Sequence, residues 1–158
     1  MVDWRWRIFL GSETISAEKQ VTMLHLKIIT PQKQVIDEEI SCITVPSVEG
    51  DITILPKHIH LLTLLKEGIV MMKNGSKEEH LAIGGGYMET DGKQVNVLVS
   101  RAYKQDEIDE ELTKKAIENA KKLLVDVKDK NQRIQASALL RRSVLDMKLI
   151  KKRKTRNI

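Results

Sequence analysis

Few side chains in this sequence have the types and spacing that chemistry requires. His58 and His60 form an HxH pair of the kind that can bind zinc, but no carboxylate or cysteine cluster accompanies them. Cys42 is the only cysteine, which excludes an intrachain disulfide and a thiolate metal cluster. It lies in an alternating run, where a buried strand cysteine is favoured over a reactive thiol. The sequence therefore predicts no metal site and no enzymatic function.

Two further stretches have features of ligand sites. Residues 84–86 are three glycines, but a strand follows them, and the GxxxxGK[ST] pattern and helix that hold a phosphate are missing. These glycines are predicted to let two backbone segments approach closely. The acidic run from Asp106 to Glu111 offers metal-binding carboxylates, but carboxylates are also favoured in the first turn of a helix. The helix start is the preferred interpretation, and no cofactor is expected.

The composition indicates one ordinary globular domain, or a small domain with an appendage. Aromatic residues make up only 3% of the 158 residues, so the core must consist of Leu, Ile, Val and Met. No apolar run approaches about 18 residues, so no membrane-spanning helix is predicted. The first eleven residues lack the apolar segment of a signal peptide, and Asp3, Glu13 and Glu18 argue against an organellar transit peptide.

Positive charge is concentrated near the C-terminus. Residues 105–158 carry 15 Lys or Arg and nine Asp or Glu, whereas the net charge of the whole chain is +5. Such a segment favours an acidic partner: a carboxylate-rich protein surface, a nucleic acid or an anionic lipid. A basic nucleic-acid-binding module on a β-sandwich scaffold is therefore an alternative function, although single-strand binders need aromatic stacking platforms that this sequence nearly lacks.

The chain divides into three parts. Residues 1–22 are an N-terminal extension that holds both tryptophans and the only phenylalanine. Two interpretations of it stay open: a disordered or non-native leader ahead of a natural start at Met23, and a real functional extension. Residues 23–105 have a strand pattern, and residues 106–158 have a helix pattern.

Residues 23–105 are predicted to form an antiparallel β-sandwich. Leu24, Leu26 and Ile28 alternate with other residues, which is the period of a half-buried strand. Asn74-Gly75 and Asp91-Gly92 are favoured hairpin turns. Many short strands at spacings of about ten residues are typical of a sandwich or barrel. The other strands are predicted at 35–36, 40–45 (ended by Pro46), 52–55 (ended by Pro56), 61–65, 69–73, 77–83, 87–90 and 95–99.

Residues 106–158 are predicted to form an antiparallel two-helix hairpin with a basic tail. Asp106 or Asp109 can cap the first helix, and the polar residues 128–131 are short enough to connect two helices. The second helix has two apolar faces, which indicates a second packing surface, on its own sandwich or on another protein, or merely imperfect patterning. The basic residues 151–154 are expected to fray. The apolar stripe of the first helix is Leu112, Ala116, Ala120, Leu123, Leu124 and Val127; the faces of the second are Ile134, Ala138, Leu145 and Leu149, and Leu140, Val144 and Met147.

Several motifs occur in the order and spacing of one known family. Residues 24–31 read LHLKIITP, a strand followed by Thr-Pro, and residues 50–58 read GDITILPKH, close to the family pattern GELGILPGH. A GGF-like turn is matched by GGYME at 85–89, and the other matches are NVLV at 96–99, Ile108-Asp109, and QASALLRR at 135–142. From residue 23 to about residue 150, the chain resembles the epsilon subunit of F-type ATP synthases, which is called delta in mitochondria.

This resemblance implies a non-catalytic rotor subunit in the central stalk of a proton-translocating ATP synthase. The sandwich would couple the gamma subunit to the ring of c subunits, and the hairpin, when extended along gamma, would inhibit ATP hydrolysis by the catalytic head of alpha and beta subunits. Through this complex the subunit would lie peripherally on the cytoplasmic face of the bacterial plasma membrane. The residues implied are Glu49, Asp51 and His58 for the c ring; Gly85, Gly86, Tyr87 and Met88 for gamma; and Arg141, Arg142, Lys148, Lys151 and Lys152 for beta.

Two departures from the family pattern bear on these expectations. Thr53 and Lys57 stand where the pattern has glycine, so the turn geometry there is expected to differ. Some bacterial members bind ATP on the folded hairpin through a motif like IDxxRAxxxxxR, but here Leu112 and Asn119 occupy the arginine positions, so phosphate would lose its cationic partners. No ATP-binding site is therefore predicted. A neighbouring lysine such as Lys114 could substitute, but lysine does not reproduce the bidentate geometry of guanidinium.

Overall fold

A computed structural model of the protein describes residues 23–126 and 129–156. Ten β-strands come first and two α-helices follow, with one 3₁₀ turn at Gln105–Glu107 between them. The extension, residues 1–22, lies outside the described residues. The elements are β1 (Leu24–Ile29), β2 (Gln34–Ile40), β3 (Cys42–Ser47), β4 (Gly50–Ile54), β5 (Leu61–Leu65), β6 (Gly68–Asn74), β7 (Lys77–Ile83), β8 (Gly86–Thr90), β9 (Gln94–Val99), β10 (Ala102–Lys104), α1 (Glu110–Asp126) and α2 (Lys130–Arg156).

The strands form one continuous sheet that folds over into two packed layers. Its order is β10-β7-β6-β3-β5-β8-β9-β1-β2, and β4 pairs with β3 off this path. β1 lies parallel to β9, with Leu26 opposite Val95 and Ile28 opposite Val97, whereas the other ladders among the described strands are antiparallel. The predicted fold class, a β-sandwich followed by a helical hairpin, is therefore confirmed, and it contains a parallel pairing that no local pattern predicts.

The core lies between the two layers and is aliphatic. Leu24, Leu26 and Ile28 of β1 are fully buried, as their alternation predicts. They belong to the same buried cluster as Ile43 of β3 and Leu81 of β7, so one core joins both halves of the sheet. Each such side chain contributes about 1.5–3 kcal/mol by its burial. This cluster therefore supplies most of the favourable free energy of folding.

Both predicted hairpin turns are confirmed. Gly75 in the β6–β7 turn has a φ of 60°, and Gly92 in the β8–β9 turn has a φ of 84°, values that favour glycine. Oδ1 of Asp91 accepts hydrogen bonds from the backbone N–H of Gln94 at 2.7 Å and of Lys93 at 2.8 Å. Because these donors stabilise the carboxylate, they lower the pKa of Asp91.

The second and third strands differ from the prediction. β2 is longer than the expected 35–36 and ends at Ile40, and β3 begins only at Cys42, so residues 40–45 are not one strand. Ser41 separates the two strands. Its N–H donates to the Lys73 carbonyl at 2.6 Å, and its Oγ accepts from the Gly75 N–H at 2.9 Å.

The sequence predicts that Pro46 ends β3, but the strand continues to Ser47, so this prediction is wrong. The carbonyl of Pro46 accepts a hydrogen bond from the Lys66 N–H at 3.0 Å, which ties the strand to the β5–β6 turn. Gly68 makes room for the proline ring, since a Cβ at Gly68 would lie 2.7 Å from Cγ of Pro46. The prediction that Pro56 follows the end of its strand is confirmed, because β4 ends at Ile54.

The first helix is capped by Asp109 rather than Asp106. Oδ1 of Asp109 accepts hydrogen bonds from the N–H groups of Glu111 at 2.8 Å and Leu112 at 2.9 Å. These bonds satisfy two of the backbone donors that a helix start leaves free. α2 continues through the basic residues to Arg156, where the sequence predicts fraying. Among the described residues, neither helix combines the length and apolar character of a membrane-spanning helix.

The predicted apolar stripes of the helices are partly wrong. Leu112 and Leu123 are 64% and 48% exposed, and Ile134 is 56% exposed. Hydropathy predicts that these side chains are buried. The two helices instead pack closely through small residues and hydroxyl side chains, and these larger side chains remain exposed. Val127 lies outside the described residues. The residues buried on the helices are Thr113, Ala120, Ala136, Ser143, Leu149 and Ile150.

The hairpin packs against the sandwich. α2 contacts β7, β6 and the 3₁₀ turn. Ala82 lies on the outer face of β7, opposite Tyr103 of β10, and is fully buried although it is not part of the sandwich core. The C-terminal half of α2 therefore covers this face, and the second packing surface predicted from the sequence is the protein's own sandwich.

Candidate functional site

The corner between β4 and β5, residues 55–60, holds one of the predicted site residues. His58 is partly buried, and its Nδ1 lies 2.9 Å from the backbone carbonyl oxygen of the next residue, Ile59. Lys57 has a φ of 66°, a left-handed conformation that a glycine at this position would adopt without strain. Its N–H donates to the Gly92 carbonyl at 2.8 Å, which fixes the corner against the β8–β9 turn.

The corner presents apolar side chains to solvent. Leu55 is 56% exposed and Ile59 is 77% exposed. The backbone of the corner approaches the neighbouring turn so closely that a Cβ on Gly92 would lie 2.2 Å from the His58 carbonyl oxygen. The corner is thus an apolar protrusion on a fixed backbone, and it fits a protein contact better than a metal site.

Glu49 and Asp51 lie at the opposite end of the sandwich from His58. Both carboxylates are exposed; Glu49 lies in the turn between β3 and β4, and Asp51 is the second residue of β4. This turn packs beside the end of β5, where the Val48 N–H donates to the Leu64 carbonyl at 3.1 Å. The five residues of β4 separate the turn from the corner, a length of roughly 15 Å at the usual strand rise. The structure therefore does not bring the three residues predicted for the c ring into one surface.

The residues predicted for gamma differ in their accessibility. Tyr87 is 43% exposed and Gly85 is exposed, but Met88 is fully buried in the core. Met88 is therefore corrected from a contact residue to a core residue, because its side chain points inward from β8. Gly86 allows β8 and β9 to approach closely, as predicted for the glycine run, since a Cβ on Gly86 would lie 2.0 Å from the Leu98 carbonyl oxygen.

An apolar row crosses the outer face of four neighbouring strands. Leu64 of β5 pairs with Tyr87 of β8, Tyr87 pairs with Leu98 of β9, and Leu98 pairs with Ile29 of β1. Leu64 is 63% exposed, and Leu62 on the same face is 69% exposed. We name Ile29, Leu64, Tyr87 and Leu98 the outer apolar row. Contiguous exposed apolar side chains mark a surface that a partner covers.

A cluster around Tyr103 joins the hairpin to the sandwich. Oη of Tyr103, on β10, donates a hydrogen bond to Oδ1 of Asp146 on α2 at 2.5 Å. Cζ of Arg142, one helical turn before Asp146, lies 5.7 Å from the centre of the Tyr103 ring, within the range of a cation–π contact. Burial and this hydrogen bond raise the pKa of Tyr103 to about 12, so the phenol remains a donor at ordinary pH.

A second polar contact fixes the same region of α2. Nε2 of Gln105, in the 3₁₀ turn, donates a hydrogen bond to the Leu149 carbonyl and approaches the Ile150 carbonyl at 3.4 Å. The side chains of Leu149 and Ile150 are themselves buried. The residues that hold the hairpin against the sandwich are thus two polar side chains of the sandwich side and a short apolar segment of α2.

The cations predicted to contact the beta subunit line the outside of α2. Arg141, Arg142, Lys148, Lys151 and Lys152 are all exposed. Arg141, Lys148 and Lys152 are spaced seven and four residues apart, which places them on one helical face. Arg142 differs from these three because its guanidinium lies over Tyr103. The structure places Arg141, Lys148 and Lys152 on one helical face, whereas the guanidinium of Arg142 contacts Tyr103 within the chain.

Lys114, which stands near the missing arginines of the nucleotide motif, has a carboxylate partner. Its Nζ lies 2.9 Å from Oε1 of Glu110, one turn earlier on α1. The hydrogen bond and the charge of Glu110 raise the pKa of Lys114. The expectation that no ATP-binding site exists stays a prediction.

No motif or periodicity in the sequence points to Tyr103, Gln105 or Asp146 as contact residues. Tyr103 and Asp146 are 43 residues apart in the chain, and no periodicity links a strand residue to a helix residue at that distance. The one available signal is that Tyr103 is a rare aromatic residue at the junction between the strand pattern and the helix pattern.

Comparison with known proteins gives a consistent result over most of the chain. Residues 23–105 match the family described as "ATP synthase, Delta/Epsilon chain, beta-sandwich domain". Among curated relatives, the ATP synthase epsilon chain of Nitratidesulfovibrio vulgaris strain DP4 is 33% identical over 126 residues, which cover 80% of this chain and 94% of the relative. The ATP synthase epsilon chain of Geobacter metallireducens is 38% identical over 120 residues, which cover 75% and 87%.

Solved structures show a similar fold. A chain in the cryo-EM structure of Euglena gracilis mitochondrial ATP synthase, OSCP/F1/c-ring, superposes with a TM-score of 0.67 at 21% identity, covering 87% of this chain and 82% of that chain. A chain in the central stalk and c-ring structure of the Tetrahymena thermophila mitochondrial ATP synthase gives a TM-score of 0.58 at 16% identity, covering 80% and 96%. At these identities the likeness concerns the fold.

Proposed function

Because the chain belongs to the ATP synthase epsilon chain family, we propose that it is a non-catalytic subunit of the central stalk that couples the gamma subunit to the c ring. We further propose that its helical hairpin inhibits ATP hydrolysis when it leaves the sandwich and reaches the catalytic beta subunit. In this role the subunit is peripheral, on the cytoplasmic face of a bacterial plasma membrane. Family membership leaves the nucleic-acid-binding alternative without an observation that favours it.

The observation that carries the coupling role is the outer apolar row. Leu64 and Tyr87 of this row are exposed, and Leu98 and Ile29 beside them are partly buried on the same face. An interface core that lacks charge and contains an aromatic residue fits a stable protein partner. We assign this face to gamma, with Tyr87 at its centre and with Gly85 and Gly86 at its edge.

The c-ring contact is assigned to the end of the β3–β4 hairpin, where Glu49 lies in the turn and Asp51 at the start of β4. Both carboxylates are exposed, and exposed charges suit the polar loops of a membrane ring. His58 is assigned to a separate contact at the other end of the sandwich, because the corner is apolar and the His58 imidazole lies close to the backbone carbonyl of Ile59. Substitution of Glu49 and Asp51 by Asn or Gln should weaken binding to the c ring and leave binding to gamma unchanged.

The inhibitory role is supported by the hairpin's surface. Arg141, Lys148 and Lys152 form a cationic face on α2, next to the 39% exposed side chain of Val144. Each exposed ion pair contributes only about 0–1 kcal/mol. Several together can bias a hairpin whose two positions differ by a few kcal/mol.

The test compares a free hairpin with one that is fixed on the sandwich. Cysteines replace Tyr103 and Asp146 in a Cys42→Ser background, and a short bismaleimide joins them. ATP hydrolysis by the cognate catalytic head with gamma is then measured with the wild-type chain, the joined chain and buffer. The expected result is inhibition by the wild-type chain and binding without inhibition by the joined chain.

A control variant carries both cysteines without the cross-linker, so that the effect of the substitutions is separated from the effect of fixing the hairpin. Inhibition by the joined chain equal to that of the wild type would contradict the inhibitory role. Failure of every chain to bind gamma would contradict the coupling role.

A further inference from the structure

We propose that Tyr103 sets the fraction of molecules whose hairpin is docked, because it engages two α2 side chains, Asp146 and Arg142, that can pair with each other once the helix is released. The regulatory consequence rests on the proposed function, whereas the docking equilibrium itself is a property of the isolated chain.

Tyr103 makes two different contacts with α2. Its hydroxyl donates to the Asp146 carboxylate at 2.5 Å, and its ring lies 5.7 Å from Cζ of Arg142. The first contact is a charge-assisted hydrogen bond in a partly buried setting, which is stronger than a neutral one. The second orients the guanidinium over the ring face. One residue of the sandwich therefore holds an anion and a cation of the same helix.

Asp146 and Arg142 are spaced four residues apart on α2. Opposite charges at this spacing are neighbours on a helix surface and attract each other. When α2 leaves the sandwich, the two side chains lose Tyr103 but gain each other as partners. This replacement lowers the cost of release, so the docked and released positions remain close in free energy.

Arg142 also belongs to the cations assigned to the beta subunit. In the docked position its guanidinium is engaged by Tyr103. A released hairpin frees it for a carboxylate on the catalytic head. Tyr103 and the catalytic head thus compete for one side chain, and a weaker Tyr103 contact should make the subunit a stronger inhibitor.

Docking can be measured through a residue that α2 covers. Ala82 is fully buried on the outer face of β7, beside Tyr103. An Ala82→Cys substitution in a Cys42→Ser background gives a single thiol that reacts with a reagent such as DTNB only when the hairpin is released. The labelling rate in the isolated full chain then reports the released fraction.

Tyr103→Phe removes the hydroxyl and keeps the ring, and we expect labelling to accelerate by about tenfold. Tyr103→Leu also removes the cation–π contact, and we expect a further acceleration of about two- to fivefold. Asp146→Asn removes the negative charge of the acceptor but leaves an amide oxygen for the Tyr103 hydroxyl, and it also removes the carboxylate that pairs with Arg142 in the released helix. It should therefore accelerate labelling by less than Tyr103→Phe. It also keeps the test decisive if a Tyr103 variant does not fold.

The matched control is Glu118→Gln, an acid-to-amide change at an exposed position of α1 whose carboxylate lies 3.0 Å from Lys122. It should label at the wild-type rate. Thermal unfolding of the sandwich is measured on every variant. A lower melting temperature of the sandwich in Tyr103→Phe that accounts for the faster labelling would overturn the proposal, because it would show a general structural role. Labelling of all variants at the wild-type rate would overturn it as well.

Hydrolysis by the catalytic head with gamma distinguishes this proposal from the proposed function. Faster labelling together with inhibition at a lower concentration of Tyr103→Phe than of wild type supports both. Faster labelling with no inhibition by any chain supports the role of Tyr103 and contradicts the inhibitory role. Unchanged labelling overturns the role of Tyr103, whatever the hydrolysis assay gives.

Discussion

The sandwich and the hairpin solve the problem of burial in opposite ways. In the sandwich, large aliphatic side chains from both layers, such as Leu26, Ile43 and Leu81, are completely buried in one cluster. In the hairpin, the buried residues between the helices are small or carry hydroxyls, such as Thr113, Ala120 and Ser143, while Leu112 and Leu123 face outward. The sandwich therefore has a large aliphatic core of its own, whereas the described part of the hairpin has few large buried side chains.

This difference fits the proposed function, in which the sandwich is a fixed part and the hairpin moves. A cluster of buried aliphatic residues contributes free energy that no single contact can cancel. The hairpin is held by a few contacts, at Tyr103, Gln105 and the Leu149–Ile150 segment. Elements that move in regulation are drawn from the less stable parts of a structure. The experiments below test whether the two regions differ in this way.

The largest effect is expected from Leu26→Ala in β1. Leu26 is fully buried, and truncation removes its packing and leaves a cavity, which should cost about 3 kcal/mol of unfolding free energy. Denaturant unfolding followed by far-UV circular dichroism measures this loss. Leu112→Ala, at a 64% exposed helix position, is the control and should change stability by less than about 0.5 kcal/mol. Equal losses in the two variants would contradict the contrast between the regions.

A smaller and local effect is expected from Leu149→Ala in α2. Leu149 is fully buried against the sandwich, so its truncation should weaken docking by about 2 kcal/mol. Hydrogen exchange should accelerate in α2 and remain unchanged in β1 and β9. The matched control is Leu139→Ala in the same helix, because Leu139 is 41% exposed. Faster exchange throughout the sandwich after Leu149→Ala would show that the two regions fold as one unit.

The cap of α1 should contribute less. Asp109→Ala removes the carboxylate that accepts from the N–H groups of Glu111 and Leu112, at a cost of about 1 kcal/mol. The helical signal of the hairpin should melt at a lower temperature while the sandwich transition stays in place. Asp106→Ala, at the other candidate cap, should have no such effect. A lower melting temperature for Asp106→Ala than for Asp109→Ala would contradict the assignment of the cap.

The smallest effect at ordinary pH comes from the ionisation of Tyr103. The pKa of this phenol is raised from 10.0 to about 12 by burial and by the Asp146 hydrogen bond. The docked state therefore holds the proton more tightly than the released state, so its stabilisation is fully present below pH 10 and is lost as the pH rises towards 12. Thiol labelling at Ala82→Cys with an alkylating reagent, corrected for thiolate formation, should show increasing release over this window. Tyr103→Phe should show no such dependence.

Much of the fold follows from local patterns in the sequence. The alternation of Leu24, Leu26 and Ile28, and the turns at Asn74-Gly75 and Asp91-Gly92, depend on residues that are neighbours in the chain. The structure confirms each of them. Pro46 was misleading because a proline ends a strand only where its missing N–H is needed, and here its carbonyl and a facing glycine accommodate it.

The contacts that could not be predicted are those between distant segments. Hydropathy predicts the packed faces of the helices only in part. Ala120 and Leu149 are buried as predicted, but Leu123 and Ile134 are exposed, and Ala136, which is not in the predicted stripe, is buried. The contact of Tyr103 with Asp146 joins a strand to a helix without any shared period. For the same reason the c-ring prediction placed Glu49 and His58 together, although one strand separates them.

The parallel pairing of β1 with β9 has a consequence for the order in which the chain folds. Ile28 cannot take its place in the sheet until Val97 is available, although most of the sandwich lies between them in sequence. Pairings between distant segments form slowly, because the intervening chain must be ordered first. During synthesis β1 can pair early with β2, but its other edge stays unpaired until β9 has been made, so that edge is open to other chains in the interval. The hairpin, whose contacts are local, can form within microseconds once the sandwich is ready to receive it.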